Sequence, residues 1–253
     1  MKDSDKDNLP IKKRSIIIVG ATGDIGGEVA TYLYESGFNL ILTYSSSTSI
    51  NQEVLSDKDP SIHWYHLDVR DSESVSHFFG EMETAHGPPF ALIYCAGIVR
   101  NVPLLLTTDE VWSEVLDVNL SGAFYCIRAT VRSMMVAGSG RIILIGSVSA
   151  KIGQMGQASY SASKGGLESL CRVAALELGR YNVTCNVIAP GAIESRVFRD
   201  VDKRIVKRTL GVTPVRRLGK PREVASLVHY LLSDEASFIT GQALVIDGGL
   251  SAI

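Results

Sequence analysis

A short β-branched run, Ser15-Ile16-Ile17-Ile18-Val19, leads straight into Gly20-Ala21-Thr22-Gly23-Asp24-Ile25-Gly26, and a helical pattern follows. Strand, glycine turn and helix in immediate succession leave few folds open, because the turn must be tight and the helix must pack back on the strand. Glycines let backbone N–H groups approach a pyrophosphate, and the helix N-terminus adds the positive end of its dipole. Gly20, Thr22, Gly23, Asp24, Ile25 and Gly26 are therefore candidate contacts for a dinucleotide. Asp24 is discordant, since a carboxylate aimed at a pyrophosphate repels it. The expected resolution is a side chain turned back to cap the helix.

The rest of the chain keeps the alternation. Asn39–Thr43, His63–Leu67, Ala91–Tyr94, Arg141–Ile145, Val183–Ile188 and Gln242–Ile246 read as strands. Helical patterns lie at Glu28–Ser36 (closed by Gly37), Ser72–Thr84 (with Ser72 as N-cap), Thr108–Met135 (broken near Asn119–Gly122), Ser159–Gly179 and Glu223–Leu232. Apolar strands without polar alternation, separated by helices, predict a parallel sheet covered on both faces. No linker or repeat divides the 253 residues, so the expectation is one α/β domain, a doubly wound Rossmann-type sheet over 15–253, after a polar tail at 1–14.

Composition narrows the class further. Apolar residues at 45% and charged residues at 21% exclude a disordered or fibrous chain. No apolar run nears the roughly 20 residues that span a bilayer, and the tail lacks a signal-like apolar stretch. Cys95, Cys126, Cys171 and Cys185 are scattered in apolar contexts and read as buried hydrophobes in a reducing, cytoplasmic compartment. His63, His66, His77, His86 and His229 show no metal-ligand spacing. A formal net charge of −2 argues against a nucleic-acid partner.

Chemistry concentrates in a few places. The second strand ends Thr43-Tyr44-Ser45-Ser46-Ser47, without the carboxylate that would hold the ribose hydroxyls of NAD. Hydroxyls at Ser45 and Ser46 suit a 2′-phosphate, so NADP is favoured, with NAD as the alternative. Tyr160 and Lys164 stand at i and i+4 on one helix face. A neighbouring ammonium lowers a phenol's pKa, which makes the pair a candidate proton donor or acceptor. Ser147 follows the strand Arg141–Ile145, at the sheet edge where such folds place ligands, and Asn119 interrupts a helix.

Val118-Asn119-Leu120, Gly140 to Ser147, Tyr160 to Lys164, Asn186 to Gly191, and Ile239-Thr240-Gly241 to Asp247-Gly248-Gly249 together resemble the short-chain dehydrogenase/reductase family, in particular its bacterial 3-oxoacyl-[acyl-carrier-protein] reductases. The resemblance runs from about Ser15 to Gly249. It implies that Tyr160 protonates a substrate carbonyl as hydride arrives, that Lys164 lowers the phenol's pKa and holds the nicotinamide ribose, that Ser147 hydrogen-bonds the carbonyl oxygen, and that Asn119 holds a relay water. It implies adenine contacts at Asp68 and Val69, and nicotinamide contacts at Pro190, Gly191, Ile193 and Ser195. Cys95, Ala96 and Gly97 match a further cofactor-lining turn. A homotetramer is the family expectation.

The chain departs from the family pattern in three ways. Val19 and Asp24 replace a threonine and a glycine around the turn, and Gly23 comes one residue early. Gly23 also stands where an arginine often grips the 2′-phosphate. Tyr94-Cys95-Ala96-Gly97 replaces Asn-Asn-Ala-Gly, whose asparagines brace the sheet, so structural compensation is expected there.

One segment breaks the charge balance. From Arg196 to Arg222 ten basic residues stand against Asp200 and Asp202, a surplus of eight in a chain of net −2. By resemblance a substrate lid spans about 192–220, with Val201, Ile205 and Val206 as its inward stripe. The surplus suits an acidic acyl carrier protein or the phosphates of coenzyme A, and a solvated helix face is the plainer alternative. The function expected is NADPH-dependent reduction of a 3-oxoacyl thioester in fatty acid or polyketide-type synthesis. A dehydrogenase of a small alcohol, sugar or steroid is the alternative on the same scaffold, and a non-catalytic dinucleotide-binding protein is the alternative of another class.

Overall fold

The computed structural model describes residues 14–45, 55–56, 58–196 and 203–252. Of the expected tail only Arg14 is among them, and Ser46, Ser47 and Val201 lie outside them. In chain order come β1 (Ser15–Val19), α1 (Asp24–Glu35), β2 (Asn39–Tyr44), β3 (Ile62–His66), α2 (Ser72–His86) and β4 (Ala91–Tyr94). Then follow α3 (Asp109–Leu116), a π-turn (Asp117–Ser121), α4 (Gly122–Ala137), β5 (Gly140–Ile145) and α5 (Ser149–Ile152). The chain ends with α6 (Ala158–Leu178), β6 (Val183–Pro190), α7 (Lys203–Val212), α8 (Pro221–Leu232) and β7 (Ala243–Ile246).

The seven strands form one sheet in the order β3-β2-β1-β4-β5-β6-β7, every neighbouring pair parallel. β1 pairs with β2 on one side (Ile16↔Leu40) and β4 on the other (Ile16↔Ala91), so chain order reverses there. The crevice beyond the strand ends at such a reversal is where open α/β sheets take ligands.

Alternation along β1 shows why both faces are covered. Ile16 and Ile18 pack with Val29 and Leu33 of α1 and Val224 and Val228 of α8. Ile17 and Val19 pack with Phe78 and Phe79 of α2, Cys126 of α4 and Leu167 of α6. Burying each large apolar side chain contributes roughly 2 kcal/mol.

The element reading needs corrections at its edges. α1 starts at Asp24 rather than Glu28, with extended Gly23 before it. The cap of α2 is Asp71, not Ser72, and its carboxylate accepts from the backbone of Glu73 and Ser74. The interruption near Asn119 is no break. α3 runs into α4 through one widened turn, held by the fully buried Tyr94, whose hydroxyl donates to the Val118 carbonyl. A Cβ on Gly122 would come within 2.6 Å of that hydroxyl, so glycine leaves room for it. Tyr94, which stands where the family pattern has an asparagine, thus ties the end of β4 to the widened turn. The four-residue α5 was not read as a helix at all. Among the described residues no helix is long and apolar enough to cross a membrane.

Candidate active site

The glycine turn closes on neighbours from both flanking strands. Gly20 has φ +83°, and a Cβ there would lie 2.7 Å from the Ala96 backbone, so only glycine fits against the β4 turn. Its N–H donates to Thr43 Oγ1 at 3.2 Å, and Ala21 N–H donates to the Thr43 carbonyl at 2.9 Å. α1 begins with no side chain capping it, and the first-turn N–H groups of such a helix suit an anion. A glycine cradle and an uncapped helix start fit a dinucleotide pyrophosphate.

Asp24 does not cap α1, contrary to expectation. Its carboxylate accepts from the Arg196 N–H at 2.9 Å and from Arg196 Nε at 2.8 Å, while Arg196 Nη2 donates to the Thr22 carbonyl at 2.8 Å. An arginine 172 residues away out-competes the local backbone because it offers charge-assisted bonds.

Toward the expected adenosine end, Ser45 is exposed just beyond β2. His66 Nε2 lies 3.2 Å from the Ser45 carbonyl, a neighbour that only the β2–β3 register reveals. Val69 is buried, beneath Gly122. The Asp68 carboxylate, expected to face adenine, is engaged by Arg70 through Nε at 2.9 Å and Nη2 at 2.6 Å. Arg70 holds it down to about 2.

The four expected catalytic side chains come together at the C-terminal sheet edge. A Cβ on Gly97 would lie 3.4 Å from both Asn119 Oδ1 and Lys164 Nζ, so these two flank the Cys95-Ala96-Gly97 turn. Asn119 is fully buried; its Oδ1 accepts from Ile98 N–H at 2.8 Å and its Nδ2 donates to the Ile98 carbonyl at 3.0 Å. Nδ2 also donates to Ser163 Oγ at 3.1 Å, and Ser163 donates to the Tyr160 carbonyl at 2.7 Å. Lys164 donates to the Ile145 carbonyl at 2.7 Å and sits 5.6 Å from the Tyr160 ring centre. Burial pushes its ammonium down to about 8, against a smaller opposing pull from Cys95. Desolvation likewise pushes the Cys95 thiol up to about 12.

Lys164 was expected to lower the Tyr160 phenol. Instead burial raises it, and a hydrogen bond with Ser147 pulls the other way. The ammonium is spent on a backbone carbonyl. Ser147 Oγ in turn accepts from Ser149 N–H at 3.2 Å and Ser149 Oγ–H at 3.0 Å. Ser149 and Ser163 were missed in the sequence. Their signals are a serine two residues after Ser147 and one three residues after Tyr160, the latter turned to Asn119.

The expected nicotinamide segment follows β6. Pro190 accepts from Val148 N–H at 3.0 Å, and Gly191 N–H donates to Ile246 at 3.0 Å. Buried Ile193 bridges to Gly219, with Glu194 N–H donating to the Gly219 carbonyl at 2.8 Å, so the two ends of 192–220 are joined. Ser195 is half-buried beside Arg196.

The basic surplus is smaller than composition implies. Arg196 pairs with Asp24, Arg217 with Glu223 at 2.7 Å, and Arg222 with Glu28 at 3.2 Å and Glu35 at 2.8 Å. Lys207 and Arg208 are exposed on α7, where Val206 is half-buried. Arg141, outside this segment, is buried and donates to the Gly140 carbonyl.

A doubly wound sheet with a glycine turn at its switch point defines a Rossmann-type protein built to take a dinucleotide. The family model described as Enoyl-(Acyl carrier protein) reductase matches residues 20–251. The 3-oxoacyl-[acyl-carrier-protein] reductase MabA of Mycobacterium tuberculosis is 36% identical over 241 residues, covering 95% of this chain and 94% of its own. FabG, the reductase of the same name from Staphylococcus aureus, is 32% identical, covering 94% and 98%. The solved structure of gox2181 superposes with a TM-score of 0.90 at 31% identity, over 95% of this chain and 96% of that one. The chain belongs to the short-chain dehydrogenase/reductase family, oxidoreductases that act on CH–OH groups with a nicotinamide dinucleotide.

Proposed function

We propose that the protein reduces a 3-oxoacyl thioester, carried by acyl carrier protein or coenzyme A, to the 3-hydroxyacyl thioester with NADPH. The observation that carries this reading is the convergence of Ser147, Tyr160 and Lys164 on one sheet edge beside the glycine cradle. The names of the relatives supply the substrate class.

A bound nicotinamide supplies the hydride. Tyr160 gives its phenolic proton to the carbonyl oxygen as that oxygen becomes an alkoxide, and its raised pKa keeps the proton in place until then. Ser147, steadied by Ser149, donates a hydrogen bond to the same oxygen. Lys164 holds the nicotinamide ribose and returns a proton to the phenolate. Asn119, Ser163 and the Ile98 backbone fix the base of the site.

NADP is supported by the carboxylate-free end of β2, Ser45 there, and His66 beside it. The segment 192–220 serves as substrate lid, and Lys207 and Arg208 on α7 are the cations offered to an acidic carrier or to coenzyme A phosphates. Four chains assemble as a homotetramer, in keeping with the family.

The test follows loss of reduced nicotinamide absorbance with acetoacetyl-coenzyme A. Faster oxidation of NADPH than NADH supports the whole reading. Preference for NADH removes the 2′-phosphate part, and no oxidation with thioesters alongside turnover of small alcohols favours the alternative dehydrogenase. Reversing the charge at Lys207 and Arg208 is expected to raise KM for thioester substrates and leave small ketones unaffected; equal effects remove the carrier surface.

A further inference from the structure

Building on the dinucleotide reading above, we propose that Arg196 completes the pyrophosphate site from the far end of the chain. It masks the Asp24 carboxylate and brings its own guanidinium to the glycine turn.

Asp24 is a residue that the catalytic mechanism leaves unused. Asp24 occupies the first helical turn where glycine is expected, and a bare carboxylate there opposes a phosphate through like charge. Both of its oxygens are taken by Arg196, one by the backbone N–H at 2.9 Å and one by Nε at 2.8 Å. The guanidinium does not stop at neutralising the acid. Nη2 crosses to the Thr22 carbonyl at 2.8 Å, inside the glycine turn itself. Side-chain exposures of 54% for Arg196 and 26% for Asp24 leave the fork reachable from solvent while the acid is the more covered partner.

A guanidinium carries five N–H donors, and the two side-chain contacts use two of them. The geometry therefore presents a planar, phosphate-matched fork beside the uncapped start of α1. Arg196 is also one residue past Ser195 and two past Glu194, whose N–H is tied to Gly219. Anchoring Arg196 on the turn thus holds the segment expected at the nicotinamide against the segment expected at the pyrophosphate. Asp24 acts as a positioning residue, and Arg196 as the binding one.

Binding is read by nicotinamide fluorescence on the intact protein, independent of turnover, with adenosine 5′-diphosphate and adenosine as competitors. Arg196→Gln, which strips the guanidinium from Asp24 and leaves it only the backbone N–H, is expected to weaken NADPH and adenosine diphosphate by about tenfold while leaving adenosine unchanged. Adding Asp24→Asn to Arg196→Gln is expected to recover part of that loss, because the repelling carboxylate is gone. Arg196→Lys, with charge but no fork, is expected to fall between. Thermal unfolding confirms that each variant folds. The proposal is overturned if Arg196→Gln binds NADPH like the wild type, or if the double variant binds no better than Arg196→Gln. A wild-type protein that binds neither NADPH nor NADH overturns the dinucleotide reading instead, which separates the two failures.

Discussion

Replacing Tyr94 by phenylalanine removes one oxygen from the sheet end and leaves the ring's packing intact. Tyr94 is fully buried, and its hydroxyl donates to the Val118 carbonyl inside the Asp117–Ser121 π-turn. A buried hydrogen bond contributes about 1 kcal/mol net, and a carbonyl left without a partner adds about 1 kcal/mol more. The expected loss is therefore about 2 kcal/mol, a fall in Tm of roughly 4–8 °C for a chain of this size. The functional consequence follows from what the turn carries. Asn119 sits at its centre and clamps Ile98 from both sides at 2.8 and 3.0 Å. If the turn relaxes toward regular helix, each residue swings about the axis and the clamp opens. We expect kcat to fall about tenfold with the Kd for NADPH unchanged, since the glycine turn is untouched. Gly122→Ala attacks the same contact from the other side, placing a Cβ 2.6 Å from the hydroxyl and 2.8 Å from Val69. Combined with Tyr94→Phe it should cost less than the sum of the two single changes. Calorimetry and steady-state kinetics on all three variants check this. A Tyr94→Phe protein with wild-type Tm and kcat, or strict additivity in the double variant, would show that the Tyr94 hydroxyl does not hold the turn.

Four further outcomes are expected. Lys164→Met should abolish turnover yet raise stability at pH 7 by about 1–3 kcal/mol, because a buried ammonium answered by a single carbonyl gives way to an apolar chain; denaturant titration checks it. Burial holds the Lys164 ammonium down to about 8 in the fold against an ordinary 10.5, so the unfolded chain holds the extra proton between those limits. Its penalty is full below about 8 and fades as pH rises, so wild-type stability relative to Lys164→Met should climb between about 8 and 10.5. On the same basis kcat/KM for reduction should decline above pH 8 as the free enzyme loses that ammonium. Ser149→Ala removes one of the two Ser149 donors to the Ser147 hydroxyl and leaves the backbone N–H, and should lower kcat several-fold with little change in KM, as single-turnover rates would show.

Much of this was legible in order along the chain. Seven strands stand where their apolar runs predict them, because a buried parallel strand announces itself locally by β-branched residues without polar alternation. The four candidate catalytic positions could be picked out at local sites, after a strand, on a helix face, or inside an interrupted helix, but their roles came from the family resemblance rather than from those sites. The misses sit one step beyond local pattern. Ser72 reads as a cap as readily as Asp71 until the backbone shows which residue is still extended. The widened turn at Asn119 reads as a break, because composition cannot show that Tyr94, 24 residues earlier, holds it together.

Asp24 marks that boundary most sharply. Local logic has a short menu for a carboxylate in the first turn of a helix, and capping leads it. The structure chooses a partner 172 residues away, and the choice changes the meaning of other sequence features with it. Arg196 leaves the count of cations offered to an acidic partner, and so do Arg217 and Arg222, each already met by a carboxylate. A run that reads as an electrostatic lure in one dimension is in part a set of ties fastening its own ends to α1 and α8. Net charge along a segment measures attraction for a partner only after the pairs made within the fold have been subtracted. Among the described residues that subtraction leaves Lys207 and Arg208 exposed on α7, with Arg216 and Lys220 exposed beyond it, as the cations proposed to meet an acidic carrier.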